Sequence, residues 1–123
     1  MKIIRIIESE EQEGWIAVDL DGTLAEFHKY DPKDHSIGKP VPKMLERVKK
    51  WLDEGRDVRL MTARAAADED RDVHLRLIKE WMLEHLGRTI PITCSKDQHM
   101  IELWDDRAVQ VVPNTGERAD GKE

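Results

Sequence analysis

Asp19 and Asp21 stand two residues apart at the end of the apolar segment 16–18, and Gly22 and Thr23 follow them. In an extended chain, residues i and i+2 point to the same side, so the two carboxylates can converge on one point. Gly22 allows the backbone to turn sharply, and the Thr23 hydroxyl and nearby amides can face an anion. Two acids held this close repel each other unless a cation or a shared proton intervenes. The pattern indicates a site suited to phosphoryl transfer.

Further polar groups follow three later apolar segments of the chain. They are Thr62-Ala63-Arg64, Ser95-Lys96 and Asp105-Asp106. If the apolar segments are parallel strands, their carboxyl ends meet at one edge of the sheet, where ligands bind in such folds. We therefore expect these groups to lie near the first acidic pair.

Strand and helix patterns alternate along the chain. Apolar residues at helical spacing predict one helix over 41–52 and a second over 73–86. The predicted strands are 15–20, 58–62, 90–94, 101–104 and 108–112, with weaker strand character over 2–7. This alternation predicts an α/β fold, a Rossmann-like three-layer α/β/α sandwich with a mainly parallel sheet of about five strands.

The segment 24–39 lacks periodicity and contains Asp31-Pro32 and Gly38-Lys39-Pro40, which predicts a loop that overhangs the site. At 123 residues the chain is expected to form a single domain, 1–123, without a separate cap domain. Its last residues, 113–123, are expected to form a flexible tail.

Composition narrows the classes of function. A net charge of −6 argues against non-specific nucleic-acid binding, which needs an excess of Lys and Arg. A single cysteine, Cys94, excludes an intrachain disulfide and fits a reducing compartment. No apolar run is long enough to span a membrane, and the N-terminal apolar stretch is too short for a signal peptide. We expect a soluble, cytoplasmic protein without a membrane partner.

Four segments resemble the haloacid dehalogenase-like (HAD) hydrolase superfamily. They are 18–24 (VDLDGTL), 60–64 (LMTAR), Lys96 and 103–107 (LWDDR), in that order. The sequence is similar in particular to the small members that lack a cap domain. The resemblance implies a Mg²⁺-dependent phosphatase that cleaves phosphate monoesters through an aspartyl-phosphate. Dehalogenating members typically lack an Asp at the position of Asp21, so its presence favours phosphate esters.

The resemblance also implies a role for each candidate residue. Asp19 would be the nucleophile and Asp21 the general acid and base. Thr62 would contact a phosphoryl oxygen, and Lys96 would neutralise negative charge. Mg²⁺ would bind Asp19, the main-chain carbonyl of Asp21 and Asp105. Asp106 would be a further ligand or a support, or would instead form a salt bridge with Arg107. From the residues themselves, the candidate substrate contacts are Gly22, Thr23, Ala63 and Arg64, and Arg64 could equally pair with a surface acid.

The acidic net charge favours a small phosphorylated metabolite or nucleotide as substrate. The alternatives are a nucleic-acid 5′ or 3′ end and a phosphoprotein, since a site without a cap could admit either. A receiver domain is disfavoured because no Asp ends the second or third predicted strand. A catalytically weak phospho-accepting or binding module is the alternative from another class. The sequence does not indicate the oligomeric state.

Overall fold

The computed structural model describes residues 14–123. Its strands are β1 (Trp15–Asp19), β2 (Asp57–Met61), β3 (Ile92–Thr93) and β4 (Met100–Trp104), and its helices are α1 (Pro42–Asp53) and α2 (Arg71–His85). The four strands form one parallel sheet in the order β3-β2-β1-β4. A short 3₁₀ helix (Ala63–Ala65) follows β2. The α/β fold with a parallel sheet is therefore confirmed. Within the described residues, no helix combines the length and the apolar character needed to cross a membrane.

The central strand β1 is buried along almost its whole length. Trp15 to Val18 are each at most 1% exposed, and Asp19 is the first residue of the strand that is partly accessible. A strand that pairs with a neighbour on each side and is covered on both faces is buried throughout. Its sequence is therefore a continuous apolar run, as it is in β1. The run ends where the strand meets solvent, so the acids that follow stand at the edge of the sheet.

Both helices pack on the same face of the sheet. Ile16 and Val18 of β1 belong to one apolar cluster with Val48 of α1 and Ile78 of α2. The chain passes from β1 to β2 to β3 in one direction across the sheet, and right-handed crossovers place both connecting helices on one side. Residues 14–123 place no helix on the other face, so the third layer of the expected sandwich is not among the described residues.

The connection from β3 to β4 explains the missing layer. Only residues 94–99 separate the two strands, which lie at opposite edges of the sheet. At about 3.3–3.6 Å per residue this connection can cross the sheet but cannot include a helix. Trp15 Nε1 donates a hydrogen bond to Asp97 Oδ1 at 2.8 Å, and the Arg59 guanidinium lies 4.6 Å from the Trp15 ring. The connection therefore runs across the face opposite the helices.

The sheet of the described residues has four strands rather than about five. The segment 108–112 forms no strand with β4, and its valines at 109, 111 and 112 are exposed. Instead, the Val112 amide donates to the carbonyl of Glu117, and the Ala119 amide donates to the carbonyl of Gln110. The segment thus pairs with the turn after it, and part of the expected tail takes part in that turn. The strand expected over 2–7 lies outside the described residues.

Candidate functional site

Three carboxylates meet where β1 and β4 end. Asp19 is the last residue of β1, and Asp105 and Asp106 directly follow β4, which pairs with β1 up to Val18 and Trp104. One carboxylate oxygen from each acid lies within 4.8 Å of the other two. We call these three residues the acidic cluster. Parallel pairing of β1 and β4 is what brings together residues more than 80 positions apart in sequence.

The turn after β1 fits closely against the acidic cluster. Gly22 has φ 92°, and a Cβ at this position would stand 2.5 Å from Asp106 Oδ2. The Asp106 amide donates to Thr23 Oγ1 at 3.0 Å, and the Thr23 hydroxyl lies 3.3 Å from Asp19 Oδ2. Gly22 therefore permits the approach of Asp106, and Thr23 connects the turn to both strand ends. The structure places these two candidate substrate contacts against the acids.

The surroundings of Asp19 favour its protonated form. Burial, then the charge of Asp105 and then the hydrogen bond with Asp106 raise the pKa of Asp19 from 3.8 to about 7, against a small opposing effect of Thr23. Ionised Asp19 is thus less favourable in the folded chain than in the unfolded chain. The metal-free protein should lose stability as the pH rises from about 3.8 through about 7. A bound cation would remove this cost.

The donor set of the acidic cluster fits a hard divalent cation. Carboxylate oxygens are the ligands that Mg²⁺ and Ca²⁺ prefer, and Mg²⁺ commonly binds through one or two carboxylates plus water and phosphate oxygens. Burial and then the charge of Asp105 raise the pKa of Asp19, and a cation bound by the three acids would oppose both effects. Mg²⁺ binding at the acidic cluster stays a prediction.

The side chain of Asp21 does not join the acidic cluster. It forms a two-pronged ion pair with Arg64, in which Nε donates to Oδ2 at 2.8 Å and Nη2 donates to Oδ1 at 2.9 Å. Arg64 was expected either to reach a substrate anion or to pair with an acid, and in the structure it binds Asp21 and the loop above it. The sequence did not indicate which acid would pair with Arg64, because 43 residues separate it from Asp21.

Thr62 and Ala63 lie at the end of β2, on the border of the same cavity as Asp19. Thr62 is buried, and its Oγ1 accepts a hydrogen bond from the Arg64 amide at 3.2 Å, which caps the short 3₁₀ helix. Its hydroxyl hydrogen is not used in that bond and can donate to another oxygen. Ala63 is exposed.

A cavity of about 960 Å³ opens beside the acidic cluster. Asp19, Asp21 and Asp105 border it on one side, and residues from 26–39 border it on the other. We call 26–39 the roof segment, in agreement with the loop expected to overhang the site. Sequence reasoning did not single out His74 as a cavity residue, because it lies on α2, far along the chain.

Lys96 is not brought to the acidic cluster. Its side chain is exposed, and it is not among the described residues that border the cavity. The physical reason is the path of residues 94–99, since the neighbouring Asp97 is bound to Trp15 on the sheet face. Among the described residues, the lysines and arginines that border the cavity are Lys29, Lys39, Arg64 and Arg107. Arg107 closes the segment 103–107 in sequence, and its amide donates to Asp105 Oδ1 at 2.7 Å.

Comparison with known proteins bears on the fold. No protein-family model matches the chain, and no curated protein matches it. Among solved structures, the chain is similar to a conserved protein from Bacteroides thetaiotaomicron. The two share 23% identity over 82% of each chain, with a TM-score of 0.54. Similarity at this level supports the α/β fold with its parallel sheet.

Proposed function

We propose that this protein is a Mg²⁺-dependent phosphohydrolase that cleaves phosphate monoesters through an aspartyl-phosphate on Asp19. The observation that carries the proposal is the acidic cluster, in which Asp19 ends the central strand beside Asp105 and Asp106 and borders the cavity. The resemblance of the four sequence segments to HAD hydrolases supports the same reaction. The fold agrees with it, because ligands of parallel sheets bind beyond the carboxyl ends of the strands.

Asp19 and Asp21 would divide the chemistry between them. A carboxylate oxygen of Asp19 attacks phosphorus, the Asp19–phosphorus bond forms, and the bond from phosphorus to the ester oxygen breaks. The departing alkoxide takes its proton from the Asp21 carboxyl. In the second half, Asp21 accepts a proton from water as that water attacks phosphorus, which releases inorganic phosphate and restores Asp19. The two halves return every group to its starting state.

The other residues of the site would stabilise and orient the phosphoryl group. When bound, Mg²⁺ supplies positive charge that offsets the repulsion between the acids and the phosphate. The Thr62 oxygen accepts a hydrogen bond from the Arg64 amide, which leaves the hydroxyl hydrogen free to donate to a phosphoryl oxygen. The Thr23 hydroxyl contacts both the Asp19 carboxylate and the Asp106 amide, and so holds these two residues next to each other. With Lys96 away from the cavity, Arg107 is the basic residue nearest in sequence to the cluster.

The shape of the cavity supports a small phosphorylated metabolite or nucleotide as substrate. Sites for small molecules commonly enclose roughly 300–1,000 Å³, and this cavity lies within that range. The roof segment narrows access to the strand ends, which disfavours a folded phosphoprotein. A nucleic-acid terminus remains the alternative substrate.

The proposal is tested with the purified protein and p-nitrophenyl phosphate. We expect hydrolysis that requires Mg²⁺, stops on addition of EDTA and returns when Mg²⁺ is restored. A panel of phosphorylated metabolites, with 5′- and 3′-phosphorylated oligonucleotides included, then separates the substrate classes. Absence of turnover across the whole panel with Mg²⁺ present would contradict the proposal, as would turnover that EDTA leaves unchanged.

A further inference from the structure

Arg64 uses all its hydrogen-bonding capacity within the protein. A guanidinium carries five N–H donors. Nε and one Nη2 hydrogen bind the two oxygens of Asp21, and the second Nη2 hydrogen binds the carbonyl of Ser36 at 2.9 Å. Nη1 donates to the carbonyl of His35 at 2.6 Å and lies 3.4 Å from His74 Nδ1. The Arg64 side chain is 12% exposed.

His74 completes this arrangement as an acceptor. Arginine can only donate, so the contact requires His74 Nδ1 to be unprotonated. Burial, followed by the positive charge of Arg64, lowers the pKa of His74, which agrees with that requirement. With five acceptors around it, the guanidinium has no donor left for a substrate phosphate.

The side chain of Arg64 contacts both the Asp21 carboxylate and the roof segment. On one side is Asp21, and on the other are the main-chain carbonyls of His35 and Ser36 in the roof segment. The roof segment is also held by α2, where Trp81 Nε1 donates to the carbonyl of Gly38 at 2.9 Å. Arg64 thus links the closed roof to the Asp21 carboxylate.

We propose that Arg64 is a positioning residue that orients Asp21 for proton transfer and at the same time latches the roof segment closed. The part that concerns Asp21 rests on the proposed function. Each carboxylate oxygen has two lone pairs, and Arg64 engages each oxygen once, so Asp21 is held in place but can still exchange a proton with a leaving group. Opening of the roof removes two of the acceptors that hold the guanidinium, and Asp21 then loses its fixed orientation.

The test compares Arg64→Lys with Arg71→Lys. A lysine keeps the charge but lacks the planar fork that binds both oxygens of Asp21 and two carbonyls together. Arg71 is the matched control, because its Nε donates to the carbonyl of Ala65 on the same turn at 3.0 Å and contacts neither Asp21 nor the roof segment. Both variants keep one positive charge at the substituted position.

The first measurement is kcat/KM for an alkyl phosphate and for dinitrophenyl phosphate, with Mg²⁺ present. Dinitrophenolate leaves without a proton, whereas an alkoxide needs one, so only the alkyl ester depends on a well-placed acid. For Arg64→Lys we expect a loss on the alkyl phosphate at least about tenfold larger than the loss on dinitrophenyl phosphate. Equal losses on both esters would overturn the positioning role, since that is the result expected if Arg64 binds the phosphate directly or only supports the fold.

The second measurement is amide hydrogen exchange in peptides that cover the roof segment, and it requires no activity. We expect faster exchange there in Arg64→Lys than in the parent protein and in Arg71→Lys. Unchanged exchange would overturn the latch. If the parent protein hydrolyses no phosphate ester, the proposed function fails, while the exchange experiment still decides whether Arg64 holds the roof.

Discussion

Replacement of Asp19 by Asn is expected to abolish phosphate-ester hydrolysis, with kcat falling by roughly 10⁴-fold or more. The carboxamide has almost the same shape as the carboxylate but is not a nucleophile towards phosphorus. Because no aspartyl-phosphate can form, the loss should appear with every ester, whatever its leaving group. The measurement is the rate of phosphate release at saturating Mg²⁺ and substrate.

Two controls separate loss of the nucleophile from loss of the fold. Asp53→Asn removes an exposed acid at the end of α1, away from the acidic cluster, and should leave the rate unchanged. The thermal stability of metal-free Asp19→Asn should equal or exceed that of the parent protein at neutral pH, because the folded chain disfavours ionised Asp19. Vigorous Mg²⁺-dependent turnover by Asp19→Asn would identify a different nucleophile.

Replacement of Asp21 by Asn should produce a loss that depends on the leaving group. For alkyl phosphates we expect kcat/KM to fall by about 10²–10⁴-fold, the usual contribution of a general acid. For dinitrophenyl phosphate the first step should be nearly unaffected, whereas the second step still lacks its base. We therefore expect a rapid burst of one phenolate per protein chain, followed by slow turnover, measured by stopped-flow absorbance.

Glu26→Gln serves as the control for Asp21→Asn, because Glu26 is another acid that borders the cavity and does not pair with Arg64. It should show neither the selective loss on alkyl phosphates nor the burst. If Asp21→Asn lost the same factor on both esters and gave no burst, the acid–base role of Asp21 would be wrong. The same outcome would remove the basis for a positioning role of Arg64.

The sequence predicted the elements whose residues are buried in a regular pattern. α1 and α2 lie close to their expected positions because apolar residues at helical spacing report directly which face packs on the sheet. The sequence also predicted that Asp19 and Asp105 lie at strand ends, because each directly follows an apolar run. The convergence of Asp19 with Asp105 then required only that β1 and β4 be parallel neighbours.

The errors concern features set by the path of the chain rather than by local pattern. The segment 108–112 has the composition of a strand but pairs with its own turn, since no local pattern determines which partner a strand finds. The short connection over residues 94–99 leaves no room for a helix on the second face, and its course directs Lys96 away from the cavity. Pairing of Arg64 with an acid was one of two expectations, but the sequence does not identify Asp21 as its partner across 43 residues.

Thermal unfolding at pH about 8, with EDTA or with increasing Mg²⁺, shows whether the acidic cluster holds one ion. At this pH Asp19 is mostly ionised, and its burial, followed by its repulsion by Asp105, destabilises the metal-free chain. We predict that Mg²⁺ raises the unfolding temperature of the parent protein, with a stabilisation of about 2.7 kcal/mol at a concentration of 100 Kd. Asp105→Asn should be more stable than the parent in EDTA and should respond little to Mg²⁺. The account is contradicted if Mg²⁺ leaves the unfolding temperature of the parent protein unchanged. It is also contradicted if Mg²⁺ raises the unfolding temperature of Asp105→Asn as much as that of the parent. Either result would show that these strand ends do not share a metal ion.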